Sequence, residues 1–313
     1  MMIRSSIAAL AALAASTVLL LSACGGGGGS GPSLSPNDIA QLRSDPRLVR
    51  AESILRGADT LLLPALHLDF SVSAQGRTVS DSLAYSGRCS GMSCVLTGHG
   101  QRGTFTVRDL AVPVPHLEWE RAELGSRGGF DTLVFEGSSD LAESLGSTVG
   151  DATFSATGIG YGLWGEHGVA MALLVDAPFS GRSNNVPFTG QMDIATAYVI
   201  GDAAERNPSG LGGATWRGIA EAISTSSYKR RQGTATVRIS DLSRPVVDVE
   251  VNIGGSWIGS SAWNDIPLHA GRYSTGSNGY DRLVGAFYGS SHQETYGAFD
   301  TRNYVGVFGA LRE

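Results

Sequence analysis

Cysteine and histidine are the residues of this 313-residue chain that could support nucleophilic or metal chemistry. The six histidines are His67, His99, His116, His167, His269 and His292. None lies within four residues of another, so a His-x-x-x-His metal pair is absent and only a distributed site stays open. The chain also has neither a Gly-x-Ser-x-Gly nucleophile elbow nor a P-loop. The sequence therefore predicts no catalytic residue, no cofactor and no metal site. A His and carboxylate cluster within 66–200 would instead indicate a hydrolase.

One segment matches a cofactor motif by its letters. Gly160-Tyr161-Gly162-Leu163-Trp164-Gly165 has the spacing Gly-x-Gly-x-x-Gly. A dinucleotide site needs a strand before this motif and a helix after it. A strand-like run, Val169–Val175, follows instead. The segment is therefore predicted to form a hairpin rich in Gly and aromatic residues.

The first residues have the character of an export signal. Arg4 precedes an apolar run that ends at Leu21. This run is shorter than the ~20 apolar residues that comfortably span a bilayer. Leu21-Ser22-Ala23-Cys24 resembles the bacterial lipobox, in which the cysteine becomes the lipidated first residue of the mature chain. We expect a lipoprotein signal peptide over 1–23 and lipidation at Cys24; the alternative is an ordinary signal peptide with a chance cysteine.

A Gly/Ser run follows Cys24 at once. Such runs behave as flexible coils, which suits a tether between a lipid anchor and a folded domain. The tether is predicted over 24–35. Gly25 follows the cysteine, so the Asp that favours inner-membrane retention in enteric bacteria is absent. The sequence therefore favours the outer membrane, either at the cell surface or facing the periplasm.

Cys89 and Cys94 are the remaining cysteines, and they bracket four residues. In an oxidising compartment, such a close pair is typical of a disulfide that closes a hairpin tip. Half of a metal site is the alternative, but no second Cys/His pair with ligand spacing follows. A Cys89–Cys94 disulfide is therefore predicted.

The composition is mildly acidic and rich in glycine. The chain has 23 Lys+Arg against 29 Asp+Glu, a net charge of −6, which gives no general case for nucleic acid as a partner. It also has 43 glycines and only 17% charged residues. This composition favours short strands joined by tight turns.

The chain divides into a short helical part and a long β-rich part. Ser35-Pro36 and Asp45-Pro46 are helix-start signals, and a helix over about 46–60 is predicted within a helical segment 36–64. From Leu66 the apolar period becomes two, which indicates strands in a β-rich domain over 65–205. A short turn is expected around Asp140–Ser144. The strands of this domain are predicted at 66–73, 77–85, 104–112, 114–123, 131–137, 152–163, 168–175 and 186–193.

A polar, Gly/Pro-rich break over 202–213 precedes the last part of the chain. Eight short strands in series then predict an up-and-down barrel over 206–313. An eight-stranded barrel is either filled by side chains or holds one small ligand. The fold class is therefore all-β, with a carboxy-terminal eight-stranded up-and-down β-barrel preceded by a β-rich domain and a short amino-terminal helix. The barrel strands are predicted at Ala214–Ser224, Gly233–Leu242, Val246–Ile253, Ser256–Trp263, Ile266–Tyr273, Arg282–Tyr288, Glu294–Phe299 and Tyr304–Ala310.

The sequence also predicts where several aromatic and basic residues of this barrel lie. Period two puts Phe287, Phe299 and Phe308 on one strand face, which is predicted to be the interior. Trp257 and Trp263 are either core residues or a patch that stacks on a ligand. The run Tyr228-Lys229-Arg230-Arg231 lies between the first two strands, either as a solvated loop or as a contact for an acidic partner or lipid headgroup.

Three segments near the end of the chain share a pattern of glycine and aromatic residues. They are Leu283-Val284-Gly285-Ala286-Phe287-Tyr288-Gly289, Glu294-Thr295-Tyr296-Gly297-Ala298-Phe299 and Tyr304-Val305-Gly306-Val307-Phe308-Gly309-Ala310. This series resembles the carboxy-terminal barrel of the transferrin-binding protein B-like lipoproteins, and the resemblance covers about 200–313. Two positions depart from the family pattern: Ala298 stands where it has Gly, and Ser290 where it has Pro.

The resemblance implies a surface or periplasmic lipoprotein that binds something. Named members of the family bind host transferrin, and members of a related group bind the complement regulator factor H. The matching residues are barrel-closing glycines and aromatics, so no binding residue is carried over. The expected partners are the membrane, through Cys24, and a protein or an iron-carrier or solute ligand. The alternative is a structural or assembly lipoprotein with a filled barrel and no small ligand.

Overall fold

The computed structural model describes residues 35–63, 65–90, 93–100, 103–111, 118–144, 151–183, 185–254, 260–275 and 281–313. Within these residues, two short helices come first, followed by eighteen strands. All strand pairs are antiparallel, as far as the described residues extend. None of the described helices is long and apolar enough to cross a membrane.

The helices are α1, Pro36–Arg43, and α2, Pro46–Gly57. Both begin where the sequence predicts a helix start. The Ser35 hydroxyl accepts the Asp38 N–H, and the Asp38 carboxylate accepts the Ser35 N–H, which is a capping box. The Asp45 carboxylate caps α2 by accepting the Arg47 N–H. Hydrogen bonding from the Arg47 side chain lowers the pKa of Asp45 to about 2, so this cap is ionised at neutral pH.

Ten strands form one sheet, in the order β5-β4-β3-β2-β10-β9-β8-β7-β6, with β1 paired to β10. The expected turn around Asp140–Ser144 is wrong, because these residues pair with β8 up to Ser144 and Asp151. The sequence also missed β1 and β4. The bounds are β1 Thr60–Leu62, β2 Ala65–Ala74, β3 Arg77–Ser90, β4 Ser93–Gly100, β5 Gly103–Ala111, β6 Glu118–Arg127, β7 Phe130–Ser144, β8 Asp151–Trp164, β9 Gly168–Ser183 and β10 Val186–Gly201.

The last eight strands form a closed barrel, in which β18 pairs with β11. The all-β fold class and the eight-stranded up-and-down barrel are therefore confirmed. The bounds are β11 Ala214–Ser224, β12 Arg230–Ile239, β13 Val246–Ile253, β14 Ser260–His269, β15 Arg272–Ser274, β16 Arg282–Tyr288, β17 Glu294–Asp300 and β18 Tyr304–Arg312.

The sequence placed the fourth and fifth barrel strands wrongly, with a gap at Asn264-Asp265. The chain continues through this gap as a β-bulge, in which Asn264 and Asp265 together face Asp248 on β13. Asp265 has a positive φ of 53°, and its N–H donates to the Asp248 carboxylate at 2.9 Å. The chain reverses instead at Ala270 and Gly271. Because of this bulge, β14 continues through Asn264 and Asp265, where the sequence predicted a gap between two strands.

Aromatic side chains fill the barrel interior. Trp216, Tyr273, Phe287, Phe299 and Phe308 are each exposed by 2% or less, and they pack in one core. The predicted interior position of the three phenylalanines is confirmed. Trp263 belongs to the same core, whereas Trp257 lies outside the described residues. The space inside the barrel is therefore occupied by protein.

A second core joins the outer face of the barrel to one face of the sheet. Small side chains on β9 and β10 allow the two layers to approach closely. The sheet contributes Phe130, Tyr161, Leu163, Ala170, Ala172, Ala195, Ala197 and Val199, and the barrel contributes Ile219, Ile223, Ala286, Tyr288, Tyr296, Ala298, Val305 and Val307. Sheet and barrel therefore share a continuous apolar interface.

Candidate functional site

The predicted site residues lie in different parts of the chain. Cys24, and with it the lipidation site, lies outside the described residues. Cys89 and Cys94 are directly opposite each other where β3 meets β4. Directly opposite residues of an antiparallel pair have Cα atoms ~4.5–5.5 Å apart, within the range that a disulfide spans. The backbone register is thus compatible with the disulfide, which stays a prediction.

The four histidines whose side chains the structure describes do not converge on one centre. His67 Nε2 lies 2.6 Å from Asp300 Oδ1, across the boundary between sheet and barrel. His167 and His292 line the groove described below. His269 is exposed, and His116 lies outside the described residues. Among the residues described, no group of three or more His, Cys, Asp or Glu could hold a metal ion.

The Gly-x-Gly-x-x-Gly segment is confirmed as part of a hairpin. It forms the end of β8, and its last glycine begins the tight turn that leads to β9 at Gly168. Gly160 lies against Phe135, where an added Cβ would approach the ring to 2.1 Å. The glycine therefore makes room for a packed aromatic ring.

A groove of about 700 Å³ lies where four segments meet. These segments are α2, the β8–β9 turn, the linker between β10 and β11, and the β16–β17 turn. The lining residues are Ser53, Ile54, Gly57, Glu166, His167, Asp202, Ala204, Glu205, Arg206, Gly289, Ser290 and His292. Ligand sites often lie in such concave junctions between structural units.

The buried carboxylate of Glu294 holds the β8–β9 wall of this groove. Glu294 is 4% exposed and accepts the N–H groups of Glu166 at 2.8 Å and of His167 at 3.1 Å. It also accepts the Tyr296 hydroxyl at 2.9 Å, while that hydroxyl accepts the Gly165 N–H at 2.7 Å. Burial, followed by the Glu294 charge, raises the pKa of Tyr296 well above its usual value. Tyr296 therefore stays protonated and can donate to the carboxylate.

This clamp explains why a glycine stands at the turn. A Cβ on Gly165 would lie 2.5 Å from Glu294 Oε1 and 2.7 Å from the Tyr296 hydroxyl. Real Cβ atoms essentially never approach that closely. The turn and the two barrel side chains therefore fit together only when no side chain projects from residue 165.

Hydrogen bonds also hold the linker and the β16–β17 turn that line the groove. Trp216 Nε1 donates to the His292 carbonyl at 2.7 Å, and Arg312 Nη1 donates to the Ser291 carbonyl at 3.1 Å. His292 Nε2 lies 2.8 Å from the Arg206 carbonyl, which ties the linker to the β16–β17 turn. Asp202 accepts the Asp59 N–H at 3.1 Å. The two turns and the linker are thus held by hydrogen bonds to their backbone.

The charged side chains of the groove are less constrained than its backbone. Glu166, Glu205 and Arg206 are exposed. None of the three forms an ion pair within 4 Å with another residue that the structure describes. Their charges therefore face the solvent and are available to a ligand.

The basic run Tyr228–Arg231 is only partly a solvated loop. Arg230 makes two hydrogen bonds to the buried Glu221 carboxylate, at 2.9 and 3.0 Å, and its guanidinium lies 4.7 Å from the centre of the Tyr161 ring. The Tyr228 hydroxyl donates to Asp69 on the sheet. Lys229 and Arg231 are exposed. Tyr228 and Arg230 therefore contact the sheet, whereas the other two residues of the run face the solvent.

Sequence reasoning missed the roles of Glu294 and Tyr296. Both belong to the segment that resembles the family barrel, and that resemblance predicts only barrel closure for them. The alternating pattern does place them on one strand face, but a clamp on a turn more than a hundred residues away leaves no local signal.

No family model matches the chain, and no curated protein matches it. Among solved structures, it is similar to a transferrin binding protein B mutant from Haemophilus parasuis, with 8% identity, a TM-score of 0.30 and coverage of 82% of this chain and 78% of that one. A second match, an intact transferrin binding protein B with N and C lobes, has 10% identity, a TM-score of 0.32 and coverage of 81% and 77%.

A kievitone hydratase from Nectria haematococca also matches, with 8% identity, a TM-score of 0.23 and coverage of 80% of this chain and 89% of that one. The matched proteins thus include an enzyme as well as binding proteins. All three TM-scores are below 0.5, so these similarities support no conclusion about function.

Proposed function

We propose that this chain is a non-enzymatic lipoprotein of the outer membrane, anchored through Cys24, that binds a protein ligand on its outer surface. The packed barrel interior is the observation that supports binding on the outer surface. An eight-stranded barrel has room either for its own side chains or for one small ligand. Here aromatic residues such as Trp216, Tyr273 and Phe287 take that room. A ligand is therefore bound outside, and the groove offers a concave surface with fixed walls.

The amino-terminal sequence supports the envelope location. The export signal, the lipobox ending at Cys24 and the Gly/Ser tether are consistent with one another and with a folded part that begins at α1. Gly25 supports the outer membrane, and the resemblance to surface lipoproteins supports display at the cell surface. Exposure to the periplasm is the alternative orientation.

A structural or assembly role is the second candidate. The observation that favours it is the same packed interior, because a filled barrel needs no ligand to be stable. This candidate differs in what it expects of the groove. A purely structural protein makes no specific contact there, whereas a binding protein does.

Photocrosslinking in cells separates these two functions. We would replace Ser290, which is exposed and lines the groove, with p-benzoylphenylalanine in the full-length protein. The matched control has the same replacement at Gln75, which is exposed in the β2–β3 turn. We expect one discrete adduct from position 290 that is absent from position 75 and is reduced by added purified protein. The same adducts from both positions, or none from position 290, would contradict the proposal.

A further inference from the structure

Large apolar side chains are seldom exposed in the part of the chain that the structure describes. Val49 on α2 and Leu211 in the linker before β11 are the two that are, with 51% and 97% of their surface exposed. Single exposed apolar residues are common and need no explanation by themselves. Here their position matters, because both lie on segments that meet at the groove, and α1 directly precedes one of these segments.

The backbone around Leu211 presents this side chain to the outside. Gly210 and Gly212 have positive φ angles of 145° and 77°, a conformation that L side chains rarely adopt. The Gly212 carbonyl accepts the Leu242 N–H at 2.8 Å, which ties the loop to the β12–β13 turn. Pro208 is buried on the other side of the leucine. The loop that carries Leu211 is therefore attached to the barrel on both sides.

Strand pairing relates this loop to the groove. The end of β18 lies beside the start of β11, where Arg312 pairs with Trp216. Arg312 Nη1 also donates to the Ser291 carbonyl in the β16–β17 turn, which lines the groove together with Ile54 of α2. The Leu211 loop and the β16–β17 turn therefore lie at the same end of the barrel, next to α2.

The far end of the sheet provides a reference position. The linker begins just after Gly201, the last residue of β10, whereas Phe188 of the same strand pairs with Ala74 beside the β2–β3 turn. At ~3.3 Å per residue, these two positions on β10 are ~40 Å apart. Gln75, which is exposed in the β2–β3 turn, therefore lies far from the start of the linker.

The predicted tether limits which side of the protein can face the membrane. Ser35, the N-cap of α1, follows the predicted anchor Cys24 by eleven residues. A Gly-rich coil of that length has a root-mean-square span of ~18 Å, and full extension gives ~40 Å. Anchoring would therefore keep the α1 side close to the bilayer. A tether also makes a second membrane contact intramolecular, so even a few apolar side chains can orient the protein.

We infer that Leu211 and Val49 contact the membrane, with their side chains at the boundary between lipid headgroups and acyl chains. This inference rests on the proposed function, because it requires the lipid anchor at Cys24. Apolar side chains gain free energy at that boundary. The groove then lies beside the membrane, and the protein ligand of the proposed function is bound close to the lipid surface.

The test uses the lipidated mature protein in vesicles of phosphatidylethanolamine and phosphatidylglycerol, with and without a lipid that carries a nitroxide quencher near its headgroup. A fluorescent coumarin amino acid replaces Ser209, which is exposed two residues before Leu211, or Gln75 as the matched control. We expect quenching at position 209 to be at least about 3-fold stronger than at position 75, because the two ends of β10 are ~40 Å apart.

Removing the apolar side chains separates a membrane contact from orientation by the tether alone. Leu211→Ser with Val49→Ser should weaken quenching at position 209 about 2-fold or more, because the side chains that enter the boundary are lost. Equal quenching at positions 209 and 75, or no change in the double variant, would overturn the inference and leave these side chains to a protein partner. If the protein does not float with the vesicles, the anchor and the proposed function fail first, and the inference fails with them.

Discussion

Glu294 connects barrel and sheet through one buried carboxylate. Its two oxygens receive two backbone N–H groups of the β8–β9 turn and the Tyr296 hydroxyl. A buried donor that loses its acceptor cannot turn to water, so it retains the whole cost of desolvation. The clamp therefore contributes to stability and to the shape of the groove at once.

Glu294→Ala should lower the free energy of unfolding of the full chain by about 3 kcal/mol, because it leaves three buried or half-buried donors without an acceptor. Urea denaturation followed by circular dichroism measures this loss. Glu250→Ala, at an exposed position of the barrel, should change stability by less than about 0.5 kcal/mol. A loss below about 1 kcal/mol for Glu294→Ala would show that the clamp is not a stabilising contact.

Arg282 is also a buried charged residue, but its hydrogen bonds are less complete than those of Glu294. It is 8% exposed, and its Nε and Nη1 have no hydrogen-bond partner within the part of the chain that the structure describes. Asp300, its neighbour in register, is bonded to His67 instead. Replacing a poorly paired buried charge by an apolar side chain of similar size is often neutral or stabilising.

We therefore expect Arg282→Met to raise the free energy of unfolding by about 1 kcal/mol. Thermal and urea denaturation of the full chain would both report this gain. Arg238→Met, at an exposed barrel position, serves as the control for the change of residue type. A fall of more than about 1 kcal/mol for Arg282→Met alone would mean that the buried guanidinium has a stabilising partner.

At the scale of elements, strands were predictable where alternation and turn residues agree. The bounds of β11, β13 and β16 are those that the sequence predicts, because each is an alternating segment between Gly, Pro or Asp-rich turns. The starts of α1 and α2 were predictable from their caps. The β-bulge at Asn264 and Asp265 was not, because only the partner strand distinguishes a bulge from a turn.

The groove was not predictable, for a similar reason. Its lining comes from four segments, near residues 54, 166, 204 and 290, that are far apart in sequence. No spacing rule relates them, because the docking of the sheet on the barrel brings them together. The two groove histidines, His167 and His292, were visible in the sequence, but nothing local indicated that they line the same groove.

The β3–β4 hairpin carries the predicted disulfide. Because Cys89 and Cys94 are directly opposite each other in the ladder, the bond can form without a shift of register. Protein purified from the envelope and alkylated without reductant should therefore gain no label on either residue. Alkylation after reduction should add one label to each. Two labelled thiols before reduction would rule the disulfide out.

At the scale of the whole molecule, the barrel faces protein on both sides. Its interior is filled by its own aromatic side chains, and part of its outer face packs on the sheet. A barrel cut away from the sheet would expose large residues such as Tyr288, Tyr296 and Ile223. Apolar patches of this kind promote association, so sheet and barrel are best studied as one chain.

The proposed lipid anchor acts at the scale of the whole molecule, since it would set where the groove operates. Cys24→Ala should move the protein from the membrane fraction to a soluble or precursor pool, and it should abolish incorporation of labelled palmitate. Cys89→Ala, which removes a cysteine from the folded part, should leave membrane partition unchanged. A Cys24→Ala protein that still partitions fully with the membrane would refute lipidation at this residue.

The packed barrel interior leaves no room for a ligand, which is why the proposed ligand is bound outside. The most direct measurement is the free energy of unfolding of the full chain with Phe287→Ala or Phe308→Ala, compared with Arg238→Ala on the exposed barrel surface. Truncating a buried Phe in a tight core typically costs ~3–5 kcal/mol, so both variants should lose about that amount. The surface variant should lose less than about 0.5 kcal/mol. Losses below about 1 kcal/mol for both Phe variants would contradict the claim, because only a loosely filled barrel would tolerate them.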